Sequence, residues 1–258
     1  MEKLKSYHLL KVHTFDHRAE MGKAAAEACI EEINRQLEEK KTINMIFAAA
    51  PSQDEFLAEL AAAGQDGRVD FTRINAYHMD EYIGLSADAP QCFGNFLKER
   101  LFDKVPFRSV NYINSTCKNA EEECERYAAL LQKNLCDIVC MGIGENGHIA
   151  FNDPHAADFN DPETVKVVSL DQKCRTQQVH DGCFESLADV PTHAMTLTIP
   201  ILLHPESVFC IVPAASKAEA VKNALEGEIS ESCPASILRT HHHASLWLDA
   251  DSAALLRK

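Results

Sequence analysis

Short apolar runs alternate with segments of helical periodicity along this chain, and that alternation limits the fold more than any other feature. The run Ile43-Asn-Met-Ile-Phe-Ala-Ala-Ala50 reads as a buried strand, and similar runs recur at 69–77, 137–143, 165–169, 194–199, 207–212 and 244–249. Before and between them lie helical segments at 16–40, from about 54 through Leu60, and near 91–102, 119–134, 217–226 and 250–257. In the first of these, Met21, Ala25, Cys29, Ile33 and Leu37 recur at helical spacing, and Lys40 and Lys41 suit a helix C-terminus. Strand and helix in alternation predict an α/β fold, a mostly parallel sheet with helices on both faces. Ligands are then expected beyond the carboxyl ends of the strands. No repeat, low-complexity tract or linker divides the 258 residues, so a single domain over 1–258 is expected.

Composition excludes some partners. A formal charge of −14, without clustered Lys and Arg, argues against a nucleic-acid backbone, and an anionic ligand would need a local positive site. No apolar stretch approaches the roughly 20 residues that span a bilayer, and the opening Met1-Glu-Lys-Leu-Lys-Ser-Tyr7 lacks the apolar centre of a secretion signal. A soluble, cytoplasmic protein without membrane partners is expected. The ten cysteines include no Cys-x-x-Cys pair, and Cys140 and Cys210 sit in strand-like runs, which predicts reduced, structural thiols.

The chemistry concentrates where the run Asp137-Ile-Val-Cys-Met141 meets Gly142-Ile-Gly144-Glu-Asn146-Gly147-His148-Ile-Ala-Phe-Asn-Asp153-Pro154. Glycines at the end of a strand allow positive φ and close approach to a small ligand, and His148 and Asp153 can accept and return protons. A second candidate is His78-Met79-Asp80-Glu81-Tyr82, after the run 69–77. Adjacent carboxylates on extended backbone point to opposite sides, so one can face a cleft while the other serves a structural bond.

Two further positions suit an anion. Ser52 follows a strand, with Glu55 three residues on, which spells a capping box and equally a phosphate site at a helix start. Lys217 opens a helix after Val208-Phe-Cys-Ile-Val212, where the dipole disfavours a cation, so either a bound anion or a solvated surface position would explain it. His241-His242-His243 cannot converge on one ion from an extended strand, and no metal site is expected. No Gly-x-Gly-x-x-Gly opens a helix after the first strand, and the nucleoside-triphosphate and serine-hydrolase signatures are missing, so the fold is expected to be Rossmann-like without a dinucleotide site.

Met79-Asp80-Glu81-Tyr82-x-Gly84-Leu85, together with Gly144-x-Asn146-Gly147-His148-Ile-Ala-Phe-Asn-Asp153-Pro154, resembles the glucosamine-6-phosphate deaminase family, also called glucosamine-6-phosphate isomerase. The resemblance runs over most of the chain, including Val190 to Thr198 and Ser216-Lys217-Ala218. Related 6-phosphogluconolactonases share the fold but usually lack the Met-Asp-Glu-Tyr-x-Gly-Leu spelling. The resemblance implies that Asp80 moves a proton between C2 and C1 of the opened sugar and that His148 assists ring opening. It implies that Asn146 and Asp153 flank His148, and that Gly144 and Gly147 shape its loop at the substrate. Ser52, Lys217 and, as the nearest candidate for the family's phosphate arginine, Arg175 would bind the 6-phosphate.

This chain departs from the family at Asp153, where glutamate is usual, and at Ala50-Pro51, where the phosphate loop has glycines. The acidic stretch Asp158 to Glu163, with only Lys166 nearby, gives no support to the basic allosteric site of some members. The reading implied is conversion of glucosamine or galactosamine 6-phosphate to ketose 6-phosphate and ammonia, without metal or organic cofactor. Lactone hydrolysis and a catalytically silent sugar-phosphate sensor are the alternatives, and a homo-oligomer is possible.

Overall fold

A computed structural model of the chain describes residues 2–257. Eight strands form the main sheet: β1 (Lys3–Tyr7), β2 (Leu10–Thr14), β3 (Ile43–Phe47), β4 (Ile74–His78), β6 (Ser109–Asn111), β7 (Ile138–Met141), β10 (Ser207–Val212) and β11 (Ala244–Leu248). Their spatial order is β1-β2-β11-β10-β7-β3-β4-β6, and every neighbouring pair is parallel except β1 and β2. A smaller antiparallel sheet sets β9 (His193–Leu197) between β5 (Asp80–Tyr82) and β8 (Val165–Ser169).

The main sheet has a core on each face, as its apolar runs require. Along β7, Ile138 and Cys140 join one apolar cluster while Val139 and Met141 join the other. On β10, Phe209 and Ile211 alternate in the same way with Val208, Cys210 and Val212. Period-2 side-chain geometry makes both sides dry only when both are covered. Helix α1 (Arg18–Glu39) presents Met21, Ala25, Cys29, Ile33 and Leu37 as a buried stripe and packs against α2 (Asp54–Gln65). The remaining longer helices are α4 (Ala120–Lys133), α5 (Gln172–His180) and α7 (Ala218–Glu226), with short α3 (Phe93–Leu97) and α6 (Ile199–Leu202).

The expected α/β architecture is present, with four local differences. Residues 165–169 and 194–199 pair antiparallel in the small sheet rather than joining the parallel one. Only Ile74–His78 of the run 69–77 is strand, because Asp70 accepts from the Thr72 amide and starts a 3-10 turn at Phe71–Arg73. Residues 250–255 form turns instead of a helix, begun where the Asp249 carboxylate takes the Ser252 amide. The hairpin of β1 and β2 and the polar helix α5 were not expected: β1 and α5 carry no apolar periodicity, and β2 alternates only over Leu10 and Val12.

Candidate active site

The order of strands reverses between β3 and β7, and that is where an α/β sheet leaves a crevice at its carboxyl edge. The Ala48 amide donates to the Cys140 carbonyl at 2.9 Å, so the two strands stay paired to their last residue and their loops then diverge. A cavity of about 500 Å³ opens there. Loops from four strands line it: Ser52 after β3, Asp80 after β4, Gly144 and His148 after β7, and Lys217 after β10.

The loop after β7 is held by its own backbone and by one amide. Gly147 N–H donates to the Gly144 carbonyl at 2.9 Å, Gly144 N–H to the His148 carbonyl at 2.9 Å, and His148 N–H to Asn146 Oδ1 at 3.0 Å. The imidazole lies flat on Gly144, where a Cβ would stand 2.1, 2.2 and 2.4 Å from three ring atoms. Gly147 has φ of +87° and backs onto Cys233 rather than the cavity. Both glycines are therefore required by the backbone and the ring, and only Gly144 lines the cavity.

Behind the imidazole, Asp153 is fully buried with its Oδ1 at 3.0 Å from His148 Nδ1. The approach is close but not linear enough to count as a full hydrogen bond. Burial raises the Asp153 pKa, but His148, Asn146 and the Asp171 amide together outweigh it and hold the carboxyl at about 2. Asn146 Nδ2 donates to Asp153 Oδ1 at 2.8 Å and to Asp171 Oδ2 at 2.9 Å, and Asp171 N–H donates to Asp153 Oδ2 at 3.0 Å. Asn146 and Asp153 thus orient the imidazole from outside the cavity. Asp171, the N-cap of α5, is a supporting residue that the sequence did not reveal.

Asp80 sits where the chain leaves the main sheet for the small one. Its carboxyl is buried beside the cavity, and burial first, then the neighbouring Glu81, push its pKa well above the usual carboxylate range. Glu81 points the other way, accepting the amides of Tyr82, Phe93 and Gly94 at 2.9, 3.0 and 2.9 Å, and burial takes it up to about 7 despite those donors. The expected division of labour between adjacent carboxylates is what the fold produces. His78 fixes this segment from beneath. Its Nε2 accepts the Ile113 amide at 2.9 Å, so Nδ1 carries the proton and donates to the Asp80 carbonyl at 2.9 Å.

At the far end, Ser52 lies in a 3-10 turn, Pro51–Gln53, and the capping box does not form. Glu55 instead pairs with Arg18 at 2.6 Å. Gln53 Nε2 donates to Ser52 Oγ at 3.0 Å, which leaves the hydroxyl proton free for a ligand in the cavity. Lys217 is buried in the turn Ala215–Lys217 ahead of α7, with no carboxylate within ion-pairing distance among the described residues. Burial lowers its pKa, and Asp181 and Glu145 act in the opposite sense. The solvated-lysine explanation is thereby removed.

Arg175 is the exception. Its Nη2 donates to the carbonyls of Leu187 and Val190 at 2.7 Å each, and it lines a separate cavity with Ile83, Gly84 and Val167. The placement of Arg175 at the phosphate end is corrected on that ground. The guanidinium groups at the cleft are those of Arg18 and Arg100. Arg18 heads a helix, the same electrostatic oddity that marked Lys217, and that signal was available in the sequence. Among the described residues, two sets of metal-ligating types gather, His148 with Asp153 and Cys174, and Asp153 with His155 and Asp171. Asp153 is common to both and already bonded on each oxygen, and the 241–243 histidines belong to neither.

Fold and site define an α/β enzyme whose cleft brings proton-transferring groups together at a strand switch point. Residues 16–247 match the family described as glucosamine-6-phosphate isomerases/6-phosphogluconolactonase. A glucosamine-6-phosphate deaminase of Bacillus cereus (strain G9842) is 34% identical over 247 residues, covering 96% of this chain and 88% of that protein. A Bacillus anthracis protein (strain CDC 684 / NRRL 3495) of the same name is 32% identical with the same coverage. Among solved structures, a monomeric glucosamine-6-phosphate deaminase superposes with a TM-score of 0.85 at 30% identity, covering 95% of this chain and 99% of that one. The 6-phosphogluconolactonase of Trypanosoma brucei shares the fold, with a TM-score of 0.80 at 17% identity over 99% of this chain and 100% of that one. The chain belongs to the glucosamine-6-phosphate isomerase/6-phosphogluconolactonase family.

Proposed function

We propose that the protein is an amino sugar phosphate deaminase, converting glucosamine 6-phosphate or its C4 epimer to ketose 6-phosphate and ammonia. One observation carries the reading: an oriented imidazole and a buried, high-pKa carboxyl face the same cavity as an unpaired lysine. Ser52 and Lys217 hold the 6-phosphate, while Arg18 and Arg100 at the cleft are already paired with Glu55 and Asp54. His148 moves the proton from the ring hydroxyl to the ring oxygen as the pyranose opens. Asp80 takes the C2 proton of the open amino aldose and returns it to C1, leaving an imine at C2. Water adds there and ammonia departs. The deaminase relatives support this reading. The C1 aldehyde accepts the electron pair released at C2 while its oxygen takes a proton from the C2 ammonium, and the nitrogen lone pair forms the imine as C1 is protonated.

The test is purified protein with each amino sugar 6-phosphate, scoring ammonia and ketose phosphate in equal amounts. Acid release from 6-phosphogluconolactone without ammonia from either amino sugar would overturn the reading.

Two variants probe the two ends of the cleft. Lys217→Ala is expected to raise KM with little change in kcat, since a charged contact to phosphate persists in ground and transition states and is worth roughly 1.5–3 kcal/mol. An unchanged KM at low salt removes Lys217 from the site. Gly144→Ala forces the His148 ring off its seat, because the added methyl would overlap three ring atoms. Misplacing a catalytic group by about 1 Å costs on the order of 10²-fold, so kcat should fall by that factor. A rise in KM with kcat unchanged would contradict it.

A further inference from the structure

Gln178 carries a side-chain amide with nothing to bond. It lies on α5, is 7% exposed, lines the cleft, and makes no side-chain hydrogen bond among the described residues. Neither amide atom is fully buried, so the free end of the side chain opens on the cavity, where a ligand can reach it. Its neighbour Gln177 shows the ordinary outcome, accepting the Glu145 amide at 2.8 Å and donating to Asp181 at 3.1 Å.

Helical spacing fixes where the free amide stands. One turn earlier on the same helix is Cys174, whose thiol lies within 4.8 Å of the Asp153 carboxylate behind His148. Three residues later is Asp181, the carboxylate that acts most strongly on Lys217. Positions three apart share a helix face, and Gln178 and Asp181 line the same cavity as His148 and Lys217, so the amide stands on the wall between the imidazole end and the lysine end. A sugar phosphate spanning those ends lays its middle carbons there.

We propose that Gln178 binds the C3 and C4 hydroxyls of the sugar and is a specificity residue of the cleft. The inference rests on the deaminase reading above. A hydroxyl can donate to the amide oxygen and accept from the amide nitrogen, so both halves of the group are used. A phosphate oxygen can only accept, and it would leave the amide oxygen facing an anion. Discrimination by such a site is strong because the analogue lacking the hydroxyl leaves a buried polar group unpaired.

The experiment compares native protein, Gln178→Ala and the near-isosteric Gln178→Met on glucosamine 6-phosphate and on its 3-deoxy and 4-deoxy analogues. Inorganic phosphate serves as a competitive inhibitor throughout. The variants should lose about 10- to 100-fold in kcat/KM on the full substrate. At least one deoxy analogue should cost the native protein a similar factor and cost the variants almost nothing more. Inhibition by phosphate should stay within about twofold in all three, which also shows that the variants fold. Variants equal to native within about twofold overturn the assignment, as does a matching loss of phosphate inhibition, which would make Gln178 a phosphate ligand. Analogues that lose equally in native and variant proteins overturn it too. Native protein that releases no ammonia overturns the underlying reading instead.

Discussion

Asp80→Asn is expected to lower turnover by about 10³-fold or more while affinity for the sugar phosphate stays within about tenfold. Asparagine keeps the shape of the side chain and removes its capacity to carry a proton. The proposed phosphate anchors, Ser52 and Lys217, lie on other loops and are untouched. The carboxyl must be ionised to accept the C2 proton. Its pKa is raised by burial and by Glu81, so the acid limb of the kcat/KM profile should lie well above the ordinary aspartate value of 3.8. Stability carries the opposite slope. Glu81 holds its proton to about pH 7 in the fold, whereas the unfolded chain releases it near 4.5. The unfolded state therefore binds fewer protons in that window, and this group's contribution falls as pH rises from 4.5 to about 7. Asp80→Asn with near-native turnover would remove Asp80 from the chemistry, and an acid limb near 3.8 would remove burial from the explanation.

What the sequence displays and what it hides follow from which residues carry apolar periodicity. The central strands were legible because both of their faces are dry, so that β7 and β10 read as unbroken apolar runs. Strand β1 reads Lys-Leu-Lys-Ser-Tyr at the sheet edge and is mostly exposed, so nothing in its pattern separates it from a loop. Helix α5 reads Gln-Lys-Cys-Arg-Thr-Gln-Gln-Val-His and buries two glutamines, a consequence of facing a polar cleft instead of an apolar core. At the site, His148 stood out because it sits in a glycine-rich loop at a strand end, and Asp80 gained its weight from being read together with that loop. Asp171 and Gln178 did not, since their significance lies in what they meet across the fold. Arg175 misled for the same reason: an arginine near the right motif satisfies two carbonyls of the loop that follows its helix.

His148→Gln should lower turnover of the cyclic substrate by about 10²- to 10³-fold, with a smaller effect on steps after ring opening. The imidazole is seated on Gly144, oriented through Nδ1 by Asp153, and aimed into the cavity from the loop that Asn146 closes. Ring opening needs one group that accepts the anomeric hydroxyl proton and delivers it to the ring oxygen. Glutamine can hold the hydroxyl but cannot pass the proton on. Spontaneous opening then limits the reaction, so the variant's rate should become nearly independent of further changes at Asp80's step, including replacement of the C2 hydrogen by deuterium. An open-chain analogue such as the amino alditol 6-phosphate never needs the ring opened and should bind the variant with close to native affinity. If it instead binds more weakly by over about 3 kcal/mol, the upper end for a hydrogen bond to a charged group, His148 serves mainly to bind the chain. Ring opening must then be assigned to another group in the cleft.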